Sequence, residues 1–237
     1  MSKLIKISAS KKLKDSKILQ RKREREGKLD NGLPDIMYPA NILVIGKRYA
    51  GKTTLIKKLL DPSQFDDCYI FSNNVKENNY DFCAEEDQFE TCNEAFLEEV
   101  ISISKEHLEN EGKILKTLLL FDDFIGMRGF NPLRSNALRR ILSSGRHKGI
   151  SVVFSTQELV SVPTLLRKNV EAVFMGNMIQ RAIDQIGEEY GGVSMSKSQI
   201  KEKLQKIARE RKYDFLYYID GANKWGTIPG SVKSGPK

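Results

Sequence analysis

At 237 residues and 40% hydrophobic content, the chain can bury one domain of generous size, or one domain with arms. It holds no run near the roughly 18 apolar residues of a membrane span, and its start lacks the apolar stretch of a secretory leader. Three cysteines (Cys68, Cys83, Cys92) without metal-ligand spacing read as free thiols of a reducing compartment, and two histidines are too few for a histidine-based metal site.

The net charge of +8 is unevenly placed: residues 1–29 hold 11 Lys+Arg against 3 Asp+Glu, and the rest of the chain balances to zero. Residues 1–31 therefore read as a basic N-terminal arm, with a cluster at Arg21, Lys22 and Arg23. The arm is either a solvated tail or import patch, or a grip on nucleic acid or an acidic partner. It has no aromatic residue, so contact with backbone phosphates suits it better than base stacking. Residues 32–228 read as one domain and 229–237 as a flexible tail.

The domain is organised around NILVIGKRYAGKTTLIKKLL, residues 41–60. Ile42–Ile45 reads as a buried strand and Thr54–Leu60 as a helix. The loop between them fits G-x-x-x-x-G-K-[ST], the phosphate-binding loop. Gly46 and Gly51 allow backbone angles that side chains forbid, so the N–H groups of Lys47, Arg48, Tyr49 and Ala50 can curl around an anion. The helix start at Thr54 adds free N–H groups and a positive dipole end. Lys52 would reach the β- and γ-phosphates, and the Thr53 hydroxyl would ligate Mg²⁺. An ordinary glycine-containing strand-to-helix turn would leave the Lys-Thr pair unexplained.

Cys68–Ser72 is a short buried strand, followed by a polar loop with asparagines at 73, 74, 78 and 79 and by an acidic, irregular stretch over 80–92. Asn93–Asn110 carries Phe96, Leu97, Val100, Ile101, Ile103 and Leu108 at helical spacing. Ile114–Phe124 reads as a buried parallel strand ending in two acids. Ligands of parallel sheets lie at C-terminal strand ends. Asp122 would hold Mg²⁺ directly or through water, and Asp123 would act as general base on the attacking water.

Asn131–Pro132 predicts a helix start, with the helix running to about His147 and burying Leu133, Ala137, Leu138, Ile141 and Leu142. Arg134, Arg139, Arg140, Arg146, His147 and Lys148, around its other faces and its end, are either a solvated basic face or a surface that faces a phosphate, of DNA or of a neighbour's nucleotide. Ile150–Ser155 is a buried strand closing on Thr156–Gln157, where a polar amide can sense a γ-phosphate. A short helix at Pro163–Lys168, a strand at Ala172–Met175 and helices at Ile179–Tyr190 and Ser196–Lys212 follow. Tyr213–Asp220 and Lys224–Ile228 form a C-terminal hairpin.

This order is similar to a RecA-like core: a three-layer α/β P-loop NTPase with a mainly parallel central sheet. GRHKGISVVFSTQ, Gly145–Gln157, with Pro163 and Arg167-Lys168-Asn169 downstream, resembles the FtsK–HerA superfamily of DNA-translocating ATPases. With LLLFDDF, the stretch is most similar to the genome-packaging ATPases of nucleocytoplasmic large DNA viruses and virophages. The resemblance covers residues 40–190. It implies ATP hydrolysis with Mg²⁺ by a pentameric or hexameric homo-oligomeric ring that drives double-stranded DNA into a capsid. It also implies a capsid or inner-membrane partner, and a place at the viral assembly site in the host cytoplasm, with the virion as a second place. By the same resemblance Gln157 is the sensor, and Arg146, or else Arg167, is an arginine finger reaching a neighbour's γ-phosphate. No separate pore-loop pattern is present; the Gly126–Phe130 loop or the basic helix after it would serve. A small GTPase is the competing enzyme, since Asp123–Gly126 fits D-x-x-G. The guanine-reading N-K-x-D is missing, because Asn223-Lys224-Trp225 is followed by Gly226. A nucleoside kinase would need an Arg-rich lid that the sequence lacks. A nucleotide-dependent scaffold would have no use for Asp123.

Overall fold

The apolar runs of this chain assemble into one mixed sheet flanked by helices. The computed structural model describes residues 33–230 except 35, 79, 124–126, 128, 129, 193, 211 and 212. The arm with Arg21, Lys22 and Arg23, most of the Gly126–Phe130 loop and the tail beyond residue 230 lie outside the described residues. The strands are β1 (Asn41–Ile45), β2 (Asp67–Ser72), β3 (Gln88–Phe89), β4 (Thr117–Asp122), β5 (Ile150–Thr156), β6 (Ala172–Met175), β7 (Phe215–Ile219) and β8 (Lys224–Ile228). The helices are α1 (Lys52–Leu59), α2 (Val75–Asn78), α3 (Glu94–Glu111), α4 (Asn136–Ser144), α5 (Thr164–Lys168), α6 (Gln180–Tyr190) and α7 (Lys197–Glu210).

The described residues form an eight-stranded sheet in the order β3-β2-β4-β5-β1-β6-β7-β8. All pairings up to β6 are parallel, and the C-terminal hairpin β7–β8 adds antiparallel to β6. The β1–α1–β2 crossover runs toward one edge, whereas the connections from β2 to β4, β4 to β5 and β5 to β6 run toward the other. Right-handed crossovers therefore put α1 on one face and α3, α4 and α5 on the opposite face. That is the three-layer arrangement expected from the sequence. The change of direction occurs at β1, so the C-terminal end of β1 is the topological switch point where ligands bind.

One aromatic row ties the strands together. Phe89, Phe71, Phe121 and Phe154 lie in register on β3, β2, β4 and β5. Phe71 stacks on Phe121 at 4.9 Å and Phe121 on Phe154 at 4.7 Å between ring centroids. Phe96 of α3 packs edge-on against Phe71. Side chains alternate faces along a strand. With Phe121 turned toward α3, the next residue, Asp122, points to the α1 face.

Three local expectations are corrected. The helix predicted from Asn131 begins at Asn136 and ends at Ser144, where the chain tightens into a 3-10 turn over Gly145–Lys148. Asn131 Oδ1 accepts from the Leu133 N–H in a local turn instead, and Leu133 is exposed. The true cap is Ser135, whose Oγ accepts from Leu138 N at 3.0 Å. Glu94 of α3 accepts from Ala137 N and from Ser135 Oγ, both at 2.6 Å. Burial raises the Glu94 carboxyl, but these hydrogen bonds and the charge of Arg140 outweigh it and hold the group below its ordinary range. Ser135→Ala removes both the cap and a donor to Glu94, and should lower stability by about 1–2 kcal/mol in urea unfolding. The stretch over 80–92 is not wholly irregular: β3 adds two residues to the edge of the sheet. The helix after the phosphate loop starts at Lys52, two residues earlier than its apolar pattern suggested.

Candidate active site

The loop from Gly46 to Gly51 leaves the C-terminal end of β1 between β5 and β6. Gly46 N donates to Thr156 O of β5 at 3.0 Å, and Lys47 N donates to Asn177 O, just beyond β6, at 2.8 Å. The two glycines serve different needs. Gly51 adopts φ 89, a left-handed angle costly for any side chain. Gly46 does not have a positive φ; a Cβ there would stand 3.0 Å from Ala50 Cβ, so its role is space. Tyr49 takes φ 64 and is exposed, with the Arg48 guanidinium 5.0 Å from its ring centroid. Thr54 lies in the first turn of α1, on an exposed face.

Lys52 is buried, and its Nζ donates to Gly46 O at 2.8 Å and Lys47 O at 3.3 Å. Burial lowers its pKa from the ordinary lysine value, partly offset by the charges of Asp123 and Asp122. Thr53 Oγ1 donates to Asp122 Oδ2 at 3.0 Å. Asp122 is 1% exposed and shares a register row with Ser72 on β2 and Ser155 on β5. Ser155 Oγ is buried without a hydrogen-bond partner among the described residues.

Asp123 turns out of the strand at φ 50 while its N–H still donates to Ser155 O at 3.1 Å. This brings its carboxylate to Gln157, whose Nε2 donates to Oδ1 at 3.2 Å and Oδ2 at 3.3 Å. The structure thus gathers Gly46–Thr53, Asp122, Asp123 and Gln157 at the C-terminal ends of the central strands β1, β4 and β5.

It does not gather the arginines there. Arg146 pairs with Glu171, which also accepts from Asn41 N at the start of β1. Arg146 therefore sits one strand length, about 16 Å, from its own phosphate loop. Arg167 donates to Glu189 at 2.6 Å and to Thr164 at 3.1 Å. Arg140 makes a two-pronged bond to Glu98 at 2.7 Å, Arg139 donates to Leu133 O at 3.2 Å, and Arg134 is exposed.

Sequence reasoning missed the contribution of the asparagine loop. Asn73 Nδ2 donates to Asp123 O at 3.4 Å, and Tyr80, 1% exposed, donates its hydroxyl to Asp122 Oδ2. The only trace in the sequence was the density of asparagines.

A family model described as poxvirus A32 protein matches residues 36–220. The chain belongs to the poxvirus A32 protein family. No curated protein matches this A32-family chain in sequence. Among solved structures, it is similar to the genome packaging NTPase B204 from Sulfolobus turreted icosahedral virus 2 in complex with AMP. The TM-score is 0.61 at 18% identity, covering 83% of this chain and 100% of that one. The conjugation coupling protein TcpA of pCW3, with ATPγS, gives a TM-score of 0.55 at 15% identity over 81% of this chain and 60% of that one. The cytoplasmic domain of the Thermomonospora curvata type VII secretion ATPase EccC gives 0.54 at 13% identity over 83% of this chain and 24% of that one. At these identities the likeness carries the fold, the α/β P-loop ATPase architecture.

Proposed function

We propose that this A32-family chain is an ATP-hydrolysing motor that moves double-stranded viral DNA into a preformed capsid as a homo-oligomeric ring. The observation that carries the reading is the convergence of phosphate loop, Thr53–Asp122 and Asp123–Gln157 at the switch point of the sheet. Family membership and the likeness to B204, a genome packaging NTPase, support the choice of DNA packaging among ATPase functions.

In this reading the loop N–H groups hold the triphosphate, and Lys52 exchanges loop carbonyls for phosphate oxygens. An oxygen-only donor set fits Mg²⁺: the Thr53 hydroxyl, the Asp122 carboxylate and, beside it, the Ser155 hydroxyl, which has no partner among the described residues. Thr53 would hold the ion and Asp122 would hold it directly or through water; the ion supplies neutralising charge to the phosphates. Asp123 takes the proton of a water whose oxygen attacks the γ-phosphorus as the bond to the β-phosphate oxygen breaks. Gln157 holds that carboxylate in place and registers the γ-phosphate. Arg146 or Arg167, each remote from its own loop, would reach the site of a neighbour in a pentamer or hexamer, an effect of about 10³–10⁵ in rate. Each would first have to leave its glutamate. Arg134 and Arg139, with Arg21, Lys22 and Arg23 of the arm, are the candidates for phosphate contacts on DNA, whereas Arg140 is already satisfied by Glu98. Among the described residues no helix is long and apolar enough to cross a membrane. In this reading a capsid or inner-membrane component holds the motor at the particle. The place of action would be the assembly site in the host cytoplasm.

ATP turnover by the full chain should rise on adding double-stranded DNA, and should rise more steeply than linearly with protein concentration, because a monomer lacks the finger. A turnover indifferent to DNA under assembly-permitting conditions overturns the motor, and a clear preference for GTP overturns the ATPase.

A further inference from the structure

The hydroxyl of Tyr80 is buried, and a phenylalanine would fill the same space without a polar group to desolvate. Its partners explain it. A phenol has one proton to donate and an oxygen that accepts. Asn78 Nδ2 donates to that oxygen at 3.0 Å, which directs the phenol proton to Asp122 Oδ2. The same carboxylate oxygen accepts from Thr53 Oγ1 at 3.0 Å. Lys57, one turn beyond Thr53 on α1, donates to Asn78 O at 2.7 Å and lies 5.7 Å from the Tyr80 ring centroid. The phosphate-loop helix, the asparagine loop and the end of β4 are thus closed into one hydrogen-bonded circuit around Asp122.

We propose that Tyr80 is a positioning residue for the magnesium pair: with Thr53 it saturates one oxygen of the Asp122 carboxylate, and so fixes the orientation in which the carboxylate meets the hydrated ion. This rests on the reading of Thr53 and Asp122 as that pair. Outer-sphere partners of this kind change metal affinity by about 10–100-fold when removed. Asn78 acts one step further out, by aiming the phenol.

The test is equilibrium binding of a fluorescent ATP analogue to the full chain, in EDTA and across a Mg²⁺ titration. Tyr80→Phe should leave the Kd in EDTA within about twofold and raise the Mg²⁺ concentration for half-maximal tightening by about tenfold. Saturating Mg²⁺ should restore binding. An unchanged Mg²⁺ midpoint overturns the proposal. So does a parallel loss in EDTA, which would mark a general packing defect. Where Tyr80→Phe does not fold, Asn78→Ala decides: a raised midpoint of smaller size supports the circuit, and no change overturns it. If the wild-type chain binds the analogue without any Mg²⁺ response, the magnesium pair itself is wrong, a result separate from failure of Tyr80.

Discussion

Replacing Lys52 with alanine should cut ATP turnover by about 10²–10³, the scale for losing one positioned donor to developing charge. It should also erase the stabilisation that ATP confers, yet leave the empty fold at least as stable as before. The reason lies in the burial of the ammonium, which lowers its pKa despite the charges of Asp123 and Asp122. Holding the charged form therefore costs the empty protein free energy, and two loop carbonyls at 2.8 and 3.3 Å repay part of it. Alanine removes the cost together with the phosphate-binding cation. Thermal melts check both halves. Wild-type protein with ATP at 100 times Kd should gain about 2.7 kcal/mol. Lys52→Ala should gain almost nothing, with a melting temperature in the absence of ATP no lower than wild type. A variant that melts well below wild type without ATP would make Lys52 a structural residue.

Asp123→Asn should lower kcat by about 10²–10⁴, the range for a lost general base, with ATP affinity changed little. The substitution is nearly isosteric and keeps one acceptor oxygen for Gln157. Its amide turns a donor toward the other half of a contact that now receives two bonds from Gln157 Nε2. Binding should hold because the phosphate loop, Lys52 and Thr53–Asp122 are untouched. Single-turnover hydrolysis beside analogue binding separates the two effects. Turnover that survives in Asp123→Asn would remove Asp123 from the role of base. A matching loss of affinity would place it among the binding groups.

Much of the site was readable because it is written locally. The pattern from Gly46 to Thr53 marks strand, loop and helix within a dozen residues, and Asp122-Asp123 closes an apolar run. The helix over Asn93–Asn110 follows its own periodicity, and Asn93 caps it by accepting from Phe96 N. The failures have an equally physical cause. Asn131–Pro132 has the chemistry of a helix start, but Glu94, distant in sequence, offers its carboxylate to Ser135 and Ala137 and moves the start to Asn136. Ile179 fitted the apolar stripe of its helix, yet the helix begins at Gln180 and Ile179 is exposed. Tyr80 stood in a stretch with no pattern, so nothing nearby in the chain disclosed that its hydroxyl reaches Asp122.

By itself the sequence determined the phosphate loop, the pair of acids, the amide at Gln157 and a parallel α/β sheet to carry them, because turn chemistry and side-chain period act within a few residues. Only the tertiary structure decided which of these groups meet. Thr53 and Asp122 are 69 residues apart, Tyr80 and Asp122 are 42 apart, and Asp123 and Gln157 are 34 apart. They come together because register across β2, β4, β5 and β1 brings the C-terminal strand ends level, and alternation turns Asp122 toward α1 while Phe121 stacks on the other face. The same register puts Arg146 beside Glu171, at the opposite end of the sheet from its own phosphate loop.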